Sequence, residues 1–441
     1  MSKTQGFVSV STKQQWIAKL SREKRGEALT SLHHLIDMQW MLEAWKQVRK
    51  GGATGVDKET SKMFRESLLP NLATLQEEIL SGSYKAPPVR RVHISKGDGK
   101  TRPLGIPTFR DKIAQKAISM LLEPIYEEEF YPESYGYRKR KSAHQALTQL
   151  RGDLMKRTGG WVFDLDMSDY FGSVDHKHLR IFLDKRINDG VIRRMIDKWL
   201  SAGVLEEGLK TDQRTGVPQG GIVSPLLANI YLHYVMDEWL EETVKSHLIG
   251  DLHWVRYADD VVLFVTSFKD VKRLWDVIPK RLDRYSLKLN EEKSQVIEFR
   301  RPFLRGKRKR GSSFDFLGFT HYWSRTRRGG WSIKRKTSAK SFRKGVRIIR
   351  KWCHRNMHEP LEKQTEALKR KVLGHYRYFG LPSNSKSLER FREAVTQAWR
   401  SSLMRRSQRA YLSWSSFRKI GSAIRSISIK VYHPSTSESF V

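Results

Sequence analysis

The sequence predicts an α+β fold in which an antiparallel sheet is followed by a long α-helical region. Two segments rich in aromatic and β-branched residues, 160–171 and 254–265, read as strands that carry acidic side chains. The segment 87–107 predicts two further strands joined by a Gly-Asp-Gly turn. Residues 334–425 are basic and helical in pattern, with interleaved aromatic residues. These segments together indicate a sheet-containing part followed by a helical part.

Composition indicates the class of partner. The 441 residues include 83 Lys and Arg against 47 Asp and Glu, which gives a net charge of +36. An excess of this size favours a polyanionic partner, and nucleic acid is the first candidate. The one cysteine, Cys353, excludes internal disulfides and a Cys-rich zinc module. No signal peptide, lipidation motif or long apolar segment is found, so we expect a cytoplasmic, nucleoid-associated protein without a membrane partner.

The first elements are predicted to be helical. Residues 1–30 are polar and basic, and they predict an extension with a helix over Lys13–Leu20 that packs late or on RNA. Residues 31–50 show helical spacing with a wide apolar face, which predicts core packing. The glycine loop Gly51–Asp57 could cradle phosphate, but its spacing favours a plain connection.

The predicted hairpin at 87–107 is basic. Arg90, Lys96 and Arg102 lie along it or next to it. A mobile basic hairpin suits closure over a triphosphate, although solvated strand charges are an equally good interpretation. Farther along, residues 216–225 form a glycine-rich loop with little side-chain bulk, so its backbone can approach a ligand closely.

The acidic residues carry the chemical prediction. Asp164 and Asp166 are two residues apart on a predicted strand and therefore share a face. Asp259 and Asp260 lie at the tip of a predicted strand–turn–strand unit. A solvated turn explains such a pair when it is taken alone. A second acidic strand changes this interpretation, because carboxylates are the ligands that Mg²⁺ prefers.

The two acidic segments predict a catalytic site if their strands are neighbours in one antiparallel sheet. Three carboxylates then hold two Mg²⁺ ions, which activate an attacking oxygen and clamp the leaving phosphate in an in-line displacement. This is the chemistry of nucleotidyl transfer, with cations of the basic hairpin neutralising the triphosphate. The residues therefore predict the palm of a template-dependent polymerase, without deciding between DNA and RNA.

Seven blocks in a fixed order resemble one family, the bacterial group II intron-encoded reverse transcriptases and maturases. The resemblance runs from about Ser31 to His433-Pro434. The blocks are Arg90 to Pro107, Tyr135 to His144, Phe163 to His176, Val217 to Asn229, Arg256 to Asp260, Leu289 to Lys293 and Phe316 to Phe319.

The resemblance implies roles for the acidic residues. Asp166, Asp259 and Asp260 are implied to be catalytic and to bind two Mg²⁺ ions, with Mn²⁺ as an alternative. In the family, the palm acid lies five residues before an aromatic residue that rejects the sugar 2′-hydroxyl. This frame selects Asp166 with Phe171 and leaves Asp164 as a neighbour.

Further site residues are implied by the same resemblance. Contacts with the incoming nucleotide are implied for Arg90, Lys96, Arg102, Phe171, Gln219 and Lys293. Contacts with primer or template are implied for Tyr257, Pro218, Gly220 and Gly318. The implied partners are an RNA template, group II intron RNA, a DNA primer or target, and dNTPs. One departure from the family pattern is Gly172, where Asp is common.

The resemblance implies a right-hand polymerase, with fingers and palm followed by a helical thumb. The predicted parts are an N-terminal extension at 1–30, fingers at 31–160, palm at 161–325, thumb and maturase region at 326–382, and a basic DNA-binding-like segment at 383–441. The cysteine-rich HNH endonuclease domain of some relatives is expected to be absent, since the chain has one cysteine.

Three other functions compete with this prediction. A non-catalytic RNA-binding splicing factor has no need of the acidic triad. A domesticated reverse transcriptase in DNA repair or phage defence has the same motifs, and only the DNA flanking its gene separates it from an intron-encoded enzyme. The third is an RNA-dependent RNA polymerase, and a gain of ribonucleotide use by Phe171→Ala would speak against it. The oligomeric state and the identity of the RNA are left open by the residues.

Overall fold

The computed structural model of the protein describes residues 9–95, 101–157, 159–206, 208–211, 215–302, 312–407 and 411–433. The chain divides into two units. Unit 1 comprises Met1–Ser142, Leu165–Val261 and Lys269–Gln295, and unit 2 comprises Ala143–Asp164, Val262–Phe268 and Val296–Val441.

The structure has the mixed α+β content that the sequence predicts. The helices are α1 (Val10–Glu23), α2 (Met38–Gln47), α3 (Ser61–Glu66), α4 (Leu68–Ser81), α5 (Phe109–Glu127), α6 (Ala143–Lys156), α7 (Tyr170–Ser173), α8 (His176–Asp184), α9 (Gly190–Leu200), α10 (Ser224–Leu232), α11 (Lys245–His247), α12 (Phe268–Arg284), α13 (Ala339–Arg355), α14 (Leu361–Phe379), α15 (Ser385–Leu403) and α16 (Trp414–Arg425). A 3₁₀ turn covers His33–Leu35, and π-helical turns cover His233–Asp237 and Trp239–Val244.

In the part of the chain that the structure describes, the strands form four sheets. The strands are β1 (Val89–Ser95), β2 (Thr101–Ile106), β3 (Gly159–Leu165), β4 (Met167–Ser168), β5 (Val204–Glu206), β6 (Leu209–Thr211), β7 (Leu252–Tyr257), β8 (Asp260–Val265), β9 (Lys288–Leu289), β10 (Gln295–Arg300), β11 (Ser313–Phe316), β12 (Phe319–Arg325) and β13 (Trp331–Thr337). The strand orders are β2-β1-β5-β6, β10-β3-β8-β7, β11-β12-β13 and β4-β9. The predicted basic hairpin is confirmed, because β1 and β2 pair antiparallel from Arg90 opposite Ile106 to Ser95 opposite Thr101.

Helix α5 is the centre of the helical core in unit 1, and α1 packs against it. Ile17 of α1 is fully buried, and the Gln14 side chain donates to the Met120 carbonyl at 3.0 Å. The end of α1 is held by Arg186, whose guanidinium donates to the carbonyls of Ser21 at 2.9 Å and Lys24 at 2.6 Å. The predicted helix at 13–20 is therefore longer, and it packs on protein rather than on RNA alone.

The glycine loop at 51–57 is a connection, as its spacing favoured. Its carbonyls face cations, because Arg90 donates to the Thr54 oxygen at 3.0 and 2.6 Å and Lys112 donates to the Ala53 oxygen at 2.7 Å. A Cβ added at Gly55 would lie 2.5 Å from Thr108 Cα, so only glycine fits this close approach. A loop that offers carbonyl oxygens to cations is unsuited to phosphate.

Several of the aromatic residues in the helical region of unit 2 belong to its core. Tyr376 and Trp399 are fully buried, and Phe391 stacks on His375 with ring centroids 3.6 Å apart. Cys353 is also fully buried. Tyr411 is 82% exposed, so it remains available for stacking on a base. In the described part of the chain, no helix has the length and apolar character that crossing a membrane requires.

Candidate active site

Asp259 and Asp260 lie at the turn between β7 and β8, as the sequence predicts. The turn is made by Ala258, whose backbone is left-handed with a φ of 58°. A left-handed backbone is uncommon for a residue with a Cβ. After Asp260, every residue of β8 is buried and apolar, whereas Asp260 itself is exposed. The sheet therefore ends in two acidic residues that are held by a strained turn.

Asp166 follows β3 directly, and its backbone is bonded to the segment after β9. Its N–H donates to the Ser294 hydroxyl at 3.0 Å, and its carbonyl accepts from the Asn290 N–H at 2.8 Å. Its carboxylate Oδ1 lies 3.3 Å from the Lys293 ammonium. Two residues that the sequence analysis selected from distant blocks, Asp166 and Lys293, are therefore neighbours.

The two acidic segments reach the same end of their sheet. β3 and β8 are adjacent strands. A Cβ added at Gly160 would lie 2.3 Å from the Val265 carbonyl oxygen, so the start of β3 meets the end of β8 and the strands run antiparallel. Moving along both strands from this contact brings Leu165 opposite Asp260. Asp166 directly follows Leu165, so it lies at the same end of the sheet as the acidic turn.

The carboxylates of Asp166, Asp259 and Asp260 are the kind of ligand that a hard divalent cation binds. All three side chains are carboxylates, and oxygen ligands are what Mg²⁺ and similar ions require. In the described ranges, no three His, Cys, Asp or Glu side chains are already gathered as a metal site. Asp166 pairs instead with Lys293. The placement of the strands therefore supports a shared metal site.

Tyr137 lies near the acidic turn and was not among the predicted site residues, although it lies in the block Tyr135 to His144. Burial and then the Asp259 carboxylate raise the pKa of Tyr137, whereas Arg102 lowers this pKa. Its neighbour Gly136 is packed so closely that an added Cβ would lie 2.2 Å from the Ala258 nitrogen. The electrostatic fields of Arg102 in the basic hairpin and of Asp259 in the acidic turn therefore both reach the Tyr137 hydroxyl. The signal available in the sequence was an aromatic residue beside a glycine.

Phe171 lies in α7, next to the glycine-rich loop. Its carbonyl accepts from the Val217 N–H at 2.8 Å, and its ring packs edge-on against Tyr170 with centroids 5.4 Å apart. Burial raises the pKa of Tyr170 well above its usual range, and Asp259 adds to this rise. The predicted aromatic residue is therefore half-buried in the same unit as Asp166 and Asp259.

The structure explains why glycine occupies position 172. A Cβ there would lie 2.2 Å from a carboxylate oxygen of Asp169. Asp169 has a left-handed backbone with a φ of 40°, so its side chain folds back over the start of α7. Any larger residue at 172 would displace this carboxylate. The departure from the family pattern is therefore matched to a local turn and leaves Asp166 untouched.

The glycine-rich loop is docked on β2, the strand of Arg102. The Gly105 N–H donates to the Gln219 carbonyl at 2.7 Å. Gly220 has a φ of 118°, and a Cβ there would lie 2.5 Å from the Gly105 carbonyl oxygen. Pro218 also lies near Gly105, with its Cβ 3.6 Å from the position that a Cβ of Gly105 would take. The loop residues and the basic hairpin are thereby held together.

A buried network in α5 supports this loop and was missed by sequence reasoning. The Gln115 side chain accepts from the Ile222 N–H at 2.7 Å and donates to Asp111 at 2.9 Å. Asp111 also accepts from the Tyr84 hydroxyl and the Trp199 indole, each at 2.6 Å. Burial raises the pKa of Asp111 to about 6. Nothing in the helical periodicity of α5 distinguishes these polar residues from a solvated face.

The remaining predicted residues belong to several different elements, and one of them adjoins the acidic turn. Tyr257 ends β7 directly before the acidic turn. Arg90 is occupied by the Thr54 carbonyl. Lys96 lies outside the described residues. Gly318 belongs to unit 2, where Leu317 and Gly318 form the two-residue turn of the β11–β12 hairpin, with φ values of 47° and 81°.

Comparison with known proteins identifies the family. The profile described as "Reverse transcriptase (RNA-dependent DNA polymerase)" matches residues 94–321, more than half of the chain. Protein YkfC of Escherichia coli (strain K12) is 36% identical over 263 residues, which cover 52% of this chain and 69% of YkfC. Group II intron-encoded protein LtrA of Lactococcus lactis subsp. cremoris is 37% identical over 224 residues, which cover 49% of this chain and 36% of LtrA.

More distant relatives carry intron-related names. Putative COX1/OXI3 intron 1 protein of Saccharomyces cerevisiae is 26% identical over 325 residues, which cover 63% of this chain and 38% of that protein. The match thus spans little more than a third of LtrA and of the yeast protein. Membership of the family implies dependence on a divalent metal and action on RNA and DNA. The chain belongs to the reverse transcriptase (RNA-dependent DNA polymerase) family.

Proposed function

We propose that the chain is an RNA-directed DNA polymerase that copies an RNA template from a DNA primer with dNTPs. We further propose that it binds group II intron RNA and assists splicing in the bacterial cytoplasm. The observation that carries the polymerase proposal is the placement of Asp166 and the Asp259–Asp260 turn at one end of adjacent strands. A pure RNA-binding protein has no use for three carboxylates there, because they repel phosphate.

The proposed metal is a pair of Mg²⁺ ions held by Asp166, Asp259 and Asp260. Bound there, two such ions would assist attack by the primer 3′-hydroxyl and stabilise the departing pyrophosphate. The chain itself orients the reactants. Lys293, beside Asp166, is placed to neutralise triphosphate oxygens, and Arg102 is proposed to do so from the basic hairpin.

The glycine-rich loop is proposed to position the incoming base pair. Its backbone is fixed to β2 through Gln219 and Gly220, so the Gln219 side chain is presented from a rigid support. Pro218 and Gly220 are proposed to contact the template side, and Tyr257 is proposed to lie under the primer end. Gly318, in the hairpin turn of unit 2, is proposed to contact the primer.

Primer extension tests the proposed activity. Purified chain is mixed with an RNA template annealed to a DNA primer, dNTPs and Mg²⁺, and the products are resolved by length. Extension of the primer to the template end is expected. Binding of the duplex without any extension would instead support a non-catalytic splicing factor. Intron RNA sequences on both sides of the gene would support the intron-encoded role over a role in repair or phage defence.

Phe171→Ala is expected to increase the use of ribonucleotides. Removing the ring opens the space that we propose it denies to the sugar 2′-hydroxyl, so we expect selectivity for dNTPs to fall about 10- to 100-fold. Single-nucleotide incorporation with a dNTP and the matching rNTP measures this ratio. Phe171→Tyr keeps the bulk and serves as the control. Unchanged selectivity in Phe171→Ala would contradict the assigned role.

A basic groove between α13 and α15 supports nucleic-acid binding by unit 2. Eight of its nine described lining residues are charged or polar, and none of the nine is a carboxylate. The lining residues are Arg350, Lys351, His354, Arg355, Gln397, Ala398, Ser401, Ser402 and Arg405. Clustered cations without nearby acids bind phosphates and release counterions. We propose that this groove follows the backbone of bound RNA.

Removing three cations of the groove by substitution is expected to lower the affinity for RNA and to make this affinity less dependent on salt concentration. Replacing Arg350, Arg355 and Arg405 by Gln removes the cations that would neutralise up to three phosphates. We expect the slope of log affinity against log salt concentration to fall by about 1 for each phosphate that is no longer neutralised. Fluorescence anisotropy with intron RNA at several salt concentrations measures this slope.

The matched control removes three cations that already pair with carboxylates of the chain. They are Lys19, Arg22 and Arg180, paired with Glu23, Glu128 and Asp197. Glutamine at these positions changes the net charge equally. We expect a smaller change in the salt slope, and equal changes in the two triple variants would contradict a specific role of the groove.

A further inference from the structure

The acidic turn is backed by a buried arginine that the proposed chemistry does not use. Arg256 is the fifth residue of β7, and it is 0% exposed. Removing a guanidinium from water is costly unless its donors are satisfied by the protein. Sequence patterns alone would place such a residue on a solvated face of a strand. The partners of this buried cation therefore need a physical explanation.

Arg256 makes four hydrogen bonds from one planar group. Its Nε and Nη2 donate to the two carboxylate oxygens of Asp237, with the first bond at 2.8 Å. Its Nη1 donates to the Asn229 side-chain oxygen at 2.9 Å and to the Ala258 carbonyl at 3.0 Å. The Asp237 side chain is also 0% exposed. The two-pronged pair with Asp237 fixes the plane of the guanidinium, so Nη1 is aimed at the turn.

The bond to Ala258 acts directly on the turn that carries the metal ligands. Ala258 has a φ of 58°, a left-handed backbone that residues with a Cβ rarely adopt. Such a conformation persists only where surrounding contacts hold it. The Ala258 carbonyl belongs to the peptide that leads into Asp259. A shift of this carbonyl therefore changes the direction of the Asp259 side chain.

Asn229 ties the turn to the loop that covers it. Its side-chain oxygen accepts from Arg256, while its side-chain nitrogen donates to the Gly136 carbonyl at 2.6 Å. Gly136 in turn lies against the Ala258 nitrogen. The neighbouring Tyr135 N–H donates to the Arg256 carbonyl at 2.8 Å. The backbone of the turn is thus held by the Arg256 guanidinium, which bonds to the Ala258 carbonyl and to Asn229, and by the packing of Gly136 against the Ala258 nitrogen.

A widened helix brings the two partners of Arg256 together. Asn229 lies in α10, and Asp237 ends the π-helical turn His233–Asp237 that follows. In an uninterrupted α-helix, side chains eight residues apart point about 80° away from each other. A π turn rotates less per residue, which reduces this angle. The π-helical turn therefore lets one helix present an amide and a carboxylate to the same cation.

We propose that Arg256, held by Asp237 and Asn229, is the positioning residue that sets the direction of the Asp259–Asp260 turn. This inference rests on the proposed function only for its catalytic consequence. Arg256 is fully buried and contacts neither substrate nor metal in this role. It acts through the Ala258 carbonyl. The structural part of the proposal, an ordered turn, can be tested without any catalysis.

Arg256→Lys is the first test variant. Lysine keeps the charge but has one donor group in place of the planar fork, so it cannot hold Asp237 and the Ala258 carbonyl together. We expect kcat for primer extension to fall about 10- to 100-fold, with the KM for dNTP and the affinity for primer–template unchanged. We also expect faster amide hydrogen exchange in the peptide covering 252–262, measured by mass spectrometry.

A double variant separates positioning from stability. Arg256→Met combined with Asp237→Leu removes both buried charges and fills the space with apolar groups. Such replacements often preserve or increase stability. We expect a Tm close to that of the wild type, with kcat still reduced and exchange at 252–262 still fast. Recovery of wild-type kcat in the double variant would overturn the proposal, because the network would then contribute only to the packing of the core.

Arg186→Lys is the matched control. Arg186 is another buried arginine, with a side chain 1% exposed, and it binds backbone carbonyls at the end of α1. We expect this variant to lower the Tm and to leave kcat and exchange at 252–262 unchanged. A wild-type chain that does not extend primers would refute the polymerase proposal alone. Equal exchange at 252–262 in the wild type and Arg256→Lys would refute the positioning proposal alone.

Discussion

We expect the substitution Asp259→Asn to abolish primer extension. The amide has nearly the size of the carboxylate, so the β7–β8 turn and the buried strand behind it keep their packing. The substitution removes the negative charge that the proposed divalent cation would need from Asp259. A lost ligand removes several kcal/mol of transition-state stabilisation, so we expect the rate to fall roughly a thousandfold or more. Single-turnover extension of a DNA primer on an RNA template measures this rate.

The control for Asp259→Asn lies at the other end of the same hairpin. Asp251 directly precedes β7 and is exposed. Asp251→Asn changes the charge equally, and we expect it to leave the extension rate within a few-fold of the wild type. RNA affinity is measured for both variants, so that a binding defect is not mistaken for a chemical one. Comparable extension by the two variants would refute the metal-ligand role of Asp259.

Asp166→Asn is expected to be as damaging as Asp259→Asn, whereas Asp164→Asn is expected to be mild. The two aspartates are two residues apart, and Asp166 directly follows the end of β3, at the same end of the sheet as the acidic turn. A lost ligand again corresponds to a rate loss of roughly a thousandfold. For Asp164→Asn we expect most of the activity to remain. Extension rates under identical conditions, with Mn²⁺ tested as a second metal, compare the two variants.

Stability measurements complete this comparison. Asp166→Asn also removes the ion pair with Lys293, whose side chain is 59% exposed. An exposed pair of this kind contributes at most about 1 kcal/mol, so the free energy of unfolding is expected to change little. A large loss of stability would mean that Asp166 is structural. The reverse pattern, with Asp164 essential and Asp166 dispensable, would show that the spacing between the acid and Phe171 selects the wrong residue.

The elements of the site that follow from local pattern were predictable. The aromatic and β-branched residues around Asp166 and Asp259 predicted both strands, and the Gly-Asp-Gly turn before Arg102 predicted the basic hairpin. These features depend on neighbours in sequence, so a single chain reveals them. The pairing of β3 with β8 was a hypothesis, because strand adjacency depends on contacts between segments far apart in sequence.

The supports of the site could not be predicted. Arg256 and Asp237 are ordinary charged residues in their local context, and their burial follows from a π-helical turn without a sequence signature. The Asp111 and Gln115 network is hidden for the same reason. In the helical region, the sequence pattern of a basic helix with aromatic residues is the same whether its rings pack in the core or stack on a nucleic-acid base. Burial of Trp399 and exposure of Tyr411 are decided by tertiary packing.

The burial of Cys353 makes this chain convenient for site-specific chemical labelling. Burial raises the pKa of its thiol to about 12, so the reactive thiolate is scarce at neutral pH. Because this is the chain's one cysteine, a second cysteine introduced at an exposed position would be the thiol that a maleimide dye modifies. Single-molecule fluorescence from such a dye could follow movements of the basic hairpin without first removing a native thiol.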